Sequence, residues 1–579
     1  MSGVSLVPIQ GAYRLPSAPQ VLNNMELTTL MFQYLKEMTL PGVESVDPVS
    51  GMPVRPSSWT QQFARLALVN HAFFHASIGV LWENMDSVKP FFEILLREGT
   101  SVENNEVETP LSIQTTEKWE RFKVYSSRTK NLSLRRSTSL ALEYHWALFL
   151  STDRKQPDPL FPSLKRVYLS SDDNLSLLVA YTTAPQLEAL TIEFDEHCKT
   201  ILESTSALAK LLSDRARKLR SLTLKNPANT RTISRVCQVD TLTSLYLSIT
   251  EGSREMLAKI NDLTRLERLE IAQTLVPSQP SPFPSVGNMH QHISRPTKFA
   301  NLKTLIVEAN ASMQHLVAST LSPHSLKILD LRILADKPDK QMIVIPHVLT
   351  IYAKRNLGLS VLSVSCKERN DIDSDAIVHL RGDLEFNKTQ LLMSSISALH
   401  NLSVLNIRDV PFLAVDILLR LLTTIQSLPN LQKLILDPKA MTNLEADEIM
   451  IPPLQCLENI SRHNRRLVHC TLPFNISEPA PEIPKDYVST NRLALLNPFF
   501  PVYEEDLLEY TTERKLRMAR YLDRLFPYVK DISGRMTKEK PRWELWSEVE
   551  KIMFSFQELR AEAIRDLAAL PNAMAVDGV

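Results

Sequence analysis

The stretch Leu266-Glu-Arg-Leu269-Glu-Ile271 contains the unit from which the fold follows. It has leucine at its first and fourth positions and an aliphatic residue at its sixth. On a β-strand the fourth and sixth residues point to one side, and the residues between them point to the other. The same six-residue frame recurs between residues 161 and 474, starting at Leu164, Leu187, Leu219, Leu242, Leu302, Leu326, Leu359, Leu402, Leu431 and Leu467, with Val167 and Cys470 at the fourth position of the first and last frames.

A short strand with one apolar face cannot bury that face alone, but copies stacked side by side bury a continuous core. Successive frames start 23 to 43 residues apart, which leaves room for a helix in each gap. Helical spacing of apolar residues appears in the gaps at 201–212, 253–263, 412–428 and 454–463. Two other gaps predict exposed loops, the Pro-rich stretch 274–298 and the charged stretch 367–388.

The predicted fold is therefore α/β, an irregular leucine-rich-repeat solenoid over 161–474. Its parallel strands would lie on the concave side and its helices outside. The alternative is a non-repetitive α/β domain with leucine-rich strands, which the irregular spacing favours.

Composition narrows the function classes. The 579 residues carry 65 basic and 65 acidic side chains, so there is no electrostatic case for binding nucleic acid or an anionic membrane. The five cysteines are far apart and form no CxxC pair, which predicts reduced thiols. No signal peptide and no membrane-length apolar run is evident, so we expect a cytoplasmic or nuclear protein.

The N-terminal part divides into a loose lead-in at 1–20 and a helical domain at 21–98. Apolar residues at three- and four-residue steps predict an amphipathic helix over 22–35. Four prolines and two glycines make 39–58 a loop that separates this helix from a second apolar stretch, which runs from Phe63 to Trp82.

Helix 22–35 together with LALVNHAFFHASIGVLWENMDS, residues 66–87, resembles an F-box. The resemblance is to the F-box proteins with leucine-rich repeats that are abundant in mushroom-forming fungi. The residues that match the three helices of the box are Glu26, Leu27, Met31, Phe32 and Leu35, then Leu66, Leu68, Val69 and Phe73, then Leu81, Trp82, Asp86, Ser87 and Pro90. The sequence departs from the family at Met25, where proline is usual, at Asn70, where cysteine is usual, and in the insert at 39–58.

The resemblance implies a non-catalytic substrate receptor of an SCF-type ubiquitin ligase, in which the box docks a Skp-type adaptor and, through it, a cullin–RING ligase. The residues implied in adaptor binding are Leu27, Met31, Phe32, Leu35, Leu66, Leu68, Val69, Phe73, Leu81 and Trp82. Independently of the family, three short helices cannot bury all their apolar area in so small a domain. The alternative is that helix 22–35 only caps the solenoid.

The regions that flank the array are predicted to close it. A helical linker at 99–160 contains a helix at 115–130 and a weak strand, Leu132–Leu134, that resembles a degenerate repeat. Residues 475–579 contain a last imperfect repeat, with Leu493–Leu496 and a helix at 510–526, and then a closing helix at 541–570. The apolar stripe predicted to pack this closing helix onto the array consists of Trp543, Trp546, Val549, Ile552, Met553, Phe556, Leu559 and Ile564.

Motifs for catalysis or cofactor binding are weak. The pair His71 and His75 has the i,i+4 spacing of a metal site but lacks a zincin's glutamate and third ligand. There is no GxxxxGK[ST], GxGxxG or GxSxG motif, and 12 glycines leave little for a phosphate loop. We therefore expect no catalytic residue, cofactor or metal.

What remains is the face of the strands that points away from the leucines. The residues on this face predicted to bind an unknown target protein are Arg166, Tyr168, Tyr246, Arg268, Glu270, Asp330, Arg332, Asn406 and Arg408. One alternative function is a leucine-rich-repeat scaffold without ligase partners. Another is a small-ligand sensor with an anion in a basic pocket, which needs converging Arg or Lys, whereas these outward residues alternate in sign.

Overall fold

The computed structural model divides into two compact units, residues 1–242 and 243–579. The residues that the structure describes are 24–38, 57–95, 116–134, 160–171, 184–194, 212, 216–250, 252–274, 297–335, 344–368, 386–408, 415–437, 452–476, 479–483, 487, 489–499, 511–532 and 540–574.

The first unit begins with helices. They are α1 (Met25–Met38), α2 (Ser57–Ala67), α3 (His71–Leu81), α4 (Lys89–Leu95) and α5 (Thr116–Ser126). Side-chain caps fix two of the starts, because Asn24 accepts from the backbone N–H of Glu26 at 3.0 Å and Asn70 accepts from that of Phe73 at 2.8 Å. The predicted helix at 22–35 is thus confirmed with a start at Met25.

The strands of the first unit pair in parallel and in chain order. They are β1 (Asn84–Met85), β2 (Asn131–Leu134), β3 (Arg166–Ser171), β4 (Ala189–Phe194) and β5 (Ser221–Pro227), followed by α6 (Thr230–Val236). Leu132 pairs with Val167, the fourth residue of the first frame, so β2 is a strand of the ladder, as the weak repeat at 132–134 predicted.

The second unit continues the same pattern. Its nine ladder strands among the described residues are β6 (Ser244–Ile249), β7 (Arg268–Gln273), β9 (Thr304–Ala309), β11 (Ile328–Ala335), β12 (Val361–Glu368), β13 (Val404–Arg408), β14 (Lys433–Asp437), β15 (His469–Pro473) and β16 (Leu495–Phe499). A separate parallel pair joins β8 (Thr297–Phe299) to β10 (Leu321–Pro323). The β8 strand occupies the end of the stretch predicted as a loop at 274–298.

Helices connect these strands. In the second unit they are α7 (Arg254–Ile260), α8 (Ala311–Thr320), α9 (Val344–Arg355), α10 (Phe386–Ser397), α11 (Val415–Ile425), α12 (Gln455–His463), α13 (Thr512–Leu525) and α14 (Lys540–Met574). Three of the helices predicted from gap periodicity, at 253–263, 412–428 and 454–463, are confirmed as α7, α11 and α12. Consecutive helices from α7 to α14 contact each other side by side.

The leucine frames form the core as predicted. The first, fourth and sixth residue of every frame from Leu164 to Leu472 is buried. The fourth residues pair directly across the ladders, as in Leu269 with Leu305 and Leu405 with Leu434. The chain is therefore an α/β leucine-rich-repeat solenoid in which one side chain layer repeats strand after strand.

The turn that enters each strand is held by a repeated hydrogen bond. The second and third residues of a frame both donate their backbone N–H to the second residue of the preceding frame, as Lys303 and Thr304 donate to the Glu267 carbonyl at 2.8 and 2.9 Å. Asparagines placed just before a frame reinforce this turn, since Asn301 donates to the Thr264 carbonyl at 2.8 Å and Asn401 to that of Leu357 at 3.0 Å. These side chains satisfy carbonyls that would otherwise be left unpaired.

The last, imperfect repeat predicted after residue 474 is present in the structure. Leu496 pairs with Cys470 in β15, and Lys530 and Asp531 both donate to the Ala494 carbonyl at 2.8 and 3.2 Å. The imperfect repeat at 493–526 is thus a member of the ladder, and it ends near Ile532.

Several predictions fall on residues outside the described ranges. These are the lead-in at 1–20, most of the insert at 39–58, the helix at 201–212, and most of the loops at 274–298 and 367–388.

Candidate protein-docking surfaces

One solvent-facing side of α1 is apolar. Its exposed side chains recur every three or four residues and thus adjoin one another along the helix. They are Leu27, Leu30, Met31, Tyr34 and Leu35, and Met31 is 43% exposed. We call these five residues the α1 outer face; Met25, at the start of the helix, is exposed as well. Scattered exposed apolar residues are ordinary, but a row of five along one short helix marks an interaction site.

A second exposed apolar pair lies in the turn between α2 and α3. Leu68 is 87% exposed and Val69 is also exposed. The N-cap at Asn70 starts α3 immediately afterwards and fixes this turn, because its side chain holds the Phe73 amide. Two large apolar side chains on a fixed turn are positioned for contact with another protein.

The inner side of α1 is a different surface. Phe32 is 1% exposed and lies 5.4 Å, ring centre to ring centre, from both Phe63 of α2 and Phe73 of α3. Leu66 and Leu81 pack against the same cluster. The prediction that Phe32 inserts into an adaptor is therefore wrong: a ring buried among two other rings holds the three helices together.

Trp82 is also an internal contact. Its ring stacks on Tyr125 of α5 at 4.5 Å and meets the edge of Phe91 at 4.8 Å. Of the ten residues predicted to bind an adaptor, the structure exposes Leu27, Met31, Leu35, Leu68 and Val69 and packs Phe32, Leu66, Phe73, Leu81 and Trp82 within the first unit. Leu30 and Tyr34 were missed, although the helical spacing that found their neighbours includes them.

On the outward strand face of the first unit, Glu193 is the centre of a small network. It accepts from the Tyr168 hydroxyl at 2.7 Å and from Lys225 Nζ at 2.8 Å. Burial alone raises the pKa of Glu193, but the two hydrogen bonds and the charge of Lys225 lower it overall. Tyr168 is only 2% exposed, so it is not the open surface residue that was expected, whereas Arg166 is exposed.

In the second unit the outward residues of β7, β9, β11 and β12 neutralise one another. Arg332 lies 3.0 Å from Asp330 and 3.3 Å from Glu308, and Lys367 lies 2.7 Å from Glu308. Arg268 is paired with Glu270 at 3.2 Å. Burial alone lowers the pKa of Arg332, but these carboxylates raise it overall. We call these six residues the paired patch, and it presents no excess of either charge.

The outward residues of β13 to β15 differ in charge from those of the paired patch. Arg408, Lys433 and His469 are all basic and half-buried, and Lys433 pairs with His469 across neighbouring strands. Asn406 donates to Ser363 Oγ at 3.1 Å. We call Arg408, Lys433 and His469 the basic patch. Lys433 and His469 were missed from the sequence, although each occupies the third position of its frame.

Tyr246, the remaining predicted target-binding residue, is half-buried on β6. With it, the structure places all nine of these residues on strands at outward frame positions, and it brings Glu270, Asp330 and Arg332 together with Glu308.

The described residues offer little for catalysis or metal binding. His71 and His75 are neighbours on α3, with their Nε2 atoms 3.1 Å apart, but no group of three or more His, Cys, Asp or Glu that could hold a metal occurs in the described ranges. The four cysteines within those ranges form no disulfide, and burial raises the pKa of Cys456 and Cys470. In the same ranges, no helix combines the length and apolar composition needed to cross a bilayer.

No family model and no curated protein matches the chain. Among solved structures, an internalin from Listeria monocytogenes is similar at 15% identity, covering 54% of this chain and 75% of the internalin, with a TM-score of 0.26. A Bacteroides fragilis protein is similar at 15% identity over 45% of this chain and 73% of its own, with a TM-score of 0.26. TLR13, solved in its ssRNA13 complex, is similar at 13% identity over 66% and 48%, with a TM-score of 0.28. TM-scores this low carry no argument, so the fold assignment rests on the strand ladder.

Proposed function

We propose that the chain is an F-box protein with leucine-rich repeats that acts as the substrate-recognition subunit of an SCF-type ubiquitin ligase. In this proposal the helices of the first unit bind a Skp-type adaptor and the strand face binds a target protein. Ubiquitin transfer is carried out by other subunits, and the chain needs no cofactor. Such a receptor acts in the cytoplasm or the nucleus.

The observation that carries the proposal is the α1 outer face. If α1 were only a cap of the array, its apolar residues would be buried against the chain, because burial of each is worth roughly 1.5–3 kcal/mol. Instead Leu27, Met31 and Leu35 are exposed while Phe32 anchors the helix from the other side. A helix that is held by one face and leaves an apolar second face open fits an adaptor-binding role.

The turn residues Leu68 and Val69 support the same proposal. The sequence match to the F-box includes these two positions, and they are exposed although the adjacent Leu66 packs inward. The proposal thus separates the matched residues into a set that holds the helices together and a set that contacts the adaptor.

The test is co-purification of the chain with a Skp-type adaptor. We expect the triple variant Leu27→Ala, Met31→Ala, Leu35→Ala to weaken adaptor binding at least about a hundredfold, because three apolar contacts are lost. A control is Leu559→Ala with Leu567→Ala, which removes two leucines of α14 that are even more exposed. Adaptor binding that persists in the triple variant would contradict the proposal, provided that both variants keep the wild-type circular dichroism spectrum.

A further inference from the structure

The outward face of the second unit contains one region in which positive charges gather. Lys433 and His469 are direct partners across β14 and β15, and Arg408 lies at the carboxyl end of β13. Burial lowers the pKa of the His469 imidazole most, and the charges of Lys433 and Arg408 lower it further, so the ring favours its neutral form. The two cations, Arg408 and Lys433, repel each other and raise the energy of the empty surface.

The paired patch shows what the same sheet does elsewhere. There each basic side chain, Arg268, Arg332 and Lys367, has a carboxylate within 3.3 Å. Within the described ranges, Arg408 and Lys433 have no such ion pair. Asp437 lies beside Arg408 in the strand register and is engaged in an interaction of its own. One carboxylate therefore stands near two cations and one imidazole.

Two polar atoms at this position are also left without a partner. Arg408 Nε and Asn406 Oδ1 are both buried, and neither has a hydrogen bond among the residues that the structure describes. His469 Nε2 lies 3.0 Å from Thr471 Oγ1 on its own strand. A buried guanidinium N–H without an acceptor is costly, and an oxyanion is the group that it binds best.

We propose that the basic patch binds a carboxylate- or phosphate-bearing segment of a partner protein. The guanidinium of Arg408 and the ammonium of Lys433 would donate to the oxyanion, and the imidazole of His469 would donate from its protonated nitrogen. The identification of this partner as the ligase target rests on the proposed function, but the binding itself requires no adaptor. The sign alternation that argued against a basic surface holds over the paired patch, whereas at β13 to β15 two cations, Arg408 and Lys433, accompany the single carboxylate of Asp437 among the outward residues of these strands.

The test is fluorescence anisotropy of the purified full chain with three labelled peptides: hexaglutamate, a phosphoserine peptide of the same net charge, and hexaglutamine. Measurements are made at about 0.15 M salt, where charges beyond about 8 Å are screened. We expect the two anionic peptides to bind and hexaglutamine not to bind. Arg408→Gln with Lys433→Gln should weaken that binding at least tenfold, because two charge-assisted hydrogen bonds are lost.

The matched control is Lys303→Gln with Lys367→Gln, which removes the same charge from two lysines that pair with carboxylates, Lys303 with Glu267 at 3.0 Å and Lys367 with Glu308 at 2.7 Å. It should leave peptide binding within about twofold, because those cations already have partners. Binding of only one anionic peptide supports the proposal and identifies carboxylate or phosphate as the group that is bound. Failure of both to bind, or equal weakening by the two double variants, overturns it.

Two further measurements keep these outcomes clear. The single variant Lys433→Gln repeats the test if the double variant melts at a lower temperature. Adaptor binding is measured on the same variants and should be unchanged. Loss of peptide binding with adaptor binding intact concerns the basic patch alone, whereas absence of adaptor binding with peptide binding intact contradicts only the proposed function.

Discussion

Helices α1 and α14 lie near opposite ends of the sequence, and they differ in how far their apolar side chains are buried. In α14, Leu545, Trp546, Val549 and Met553 are buried, and Trp546 meets the edge of Phe474 at 6.1 Å. Over residues 25–35 of α1, where side-chain burial is described, Phe32 alone among the large apolar residues is buried, and six others are exposed. Both helices are amphipathic. Where α14 contacts the array, most of its apolar stripe is buried, whereas most of the large apolar side chains of α1 are exposed.

Polar contacts separate the two helices further. Glu550 of α14 accepts the backbone N–H of Ile532 at 2.8 Å, and Gln557 donates to the Val529 carbonyl at 3.2 Å. These bonds satisfy backbone groups where the ladder ends, which is what a capping helix must do. Arg560 adds an ion pair with Asp523. A capping helix therefore does two things: it buries apolar side chains against the array, and it hydrogen-bonds the backbone groups left open at the end of the ladder. The side chains of the α1 outer face are not buried in this way.

The largest expected effect contrasts two adjacent residues of α1. Phe32→Ala should destabilise the first unit by about 3–5 kcal/mol, because it empties the centre of an aromatic cluster. Met31→Ala, one residue away on the exposed side, should change stability by less than about 0.5 kcal/mol. Urea unfolding midpoints measure both. Equal effects would mean that the α1 outer face is covered.

The second-largest expected effect tests whether α14 caps the array through Glu550. Glu550→Ala leaves the buried Ile532 amide without its acceptor and should cost about 1–3 kcal/mol locally. Exchange of the Ile532 amide hydrogen should become faster. Glu550→Gln retains an acceptor oxygen and serves as the control, so exchange that is equally fast in both variants would count against the capping role.

The smallest effect concerns pH. Glu548 of α14 lies 2.5 Å from Lys515 of α13, and the hydrogen bond and charge of Lys515 lower the pKa of Glu548 below its ordinary 4.5. A carboxyl with a lowered pKa stabilises the fold above pH 4.5 and loses that contribution as the pH falls through its lowered pKa. The melting temperatures of wild type and Glu548→Gln should therefore differ slightly at neutral pH and converge in acid. A gap that widens on acidification would contradict this assignment.

Sequence patterns predicted the repeats well, because a buried strand face needs apolar residues at fixed positions. Every frame from Leu164 to Leu467 lies in the ladder, and helices α7, α11 and α12 lie in gaps that predicted them. The outward positions were equally fixed by strand alternation. The same rule would have found Glu193, Lys433 and His469, had it been applied to every frame.

Periodicity could not say which side of a helix packs. Helix α1 has apolar residues on both sides, so the spacing could not distinguish Phe32 from Met31; only the partners Phe63 and Phe73 decide it. In α14 the stripe predicted to pack included Leu559 and Ile564, and this was wrong because both are exposed. The helix is 35 residues long, and its later turns extend beyond the part that covers the array.

The central claim is that the α1 outer face binds a partner protein, whereas α14 caps the end of the repeat array. Hydrogen–deuterium exchange of the full chain, with and without a saturating Skp-type adaptor, tests it most directly. We predict slower exchange on adaptor binding in residues 25–35 and in the turn at 68–69, and no change in residues 559–567 of α14. Protection confined to α14, or no protection in α1, would contradict the claim.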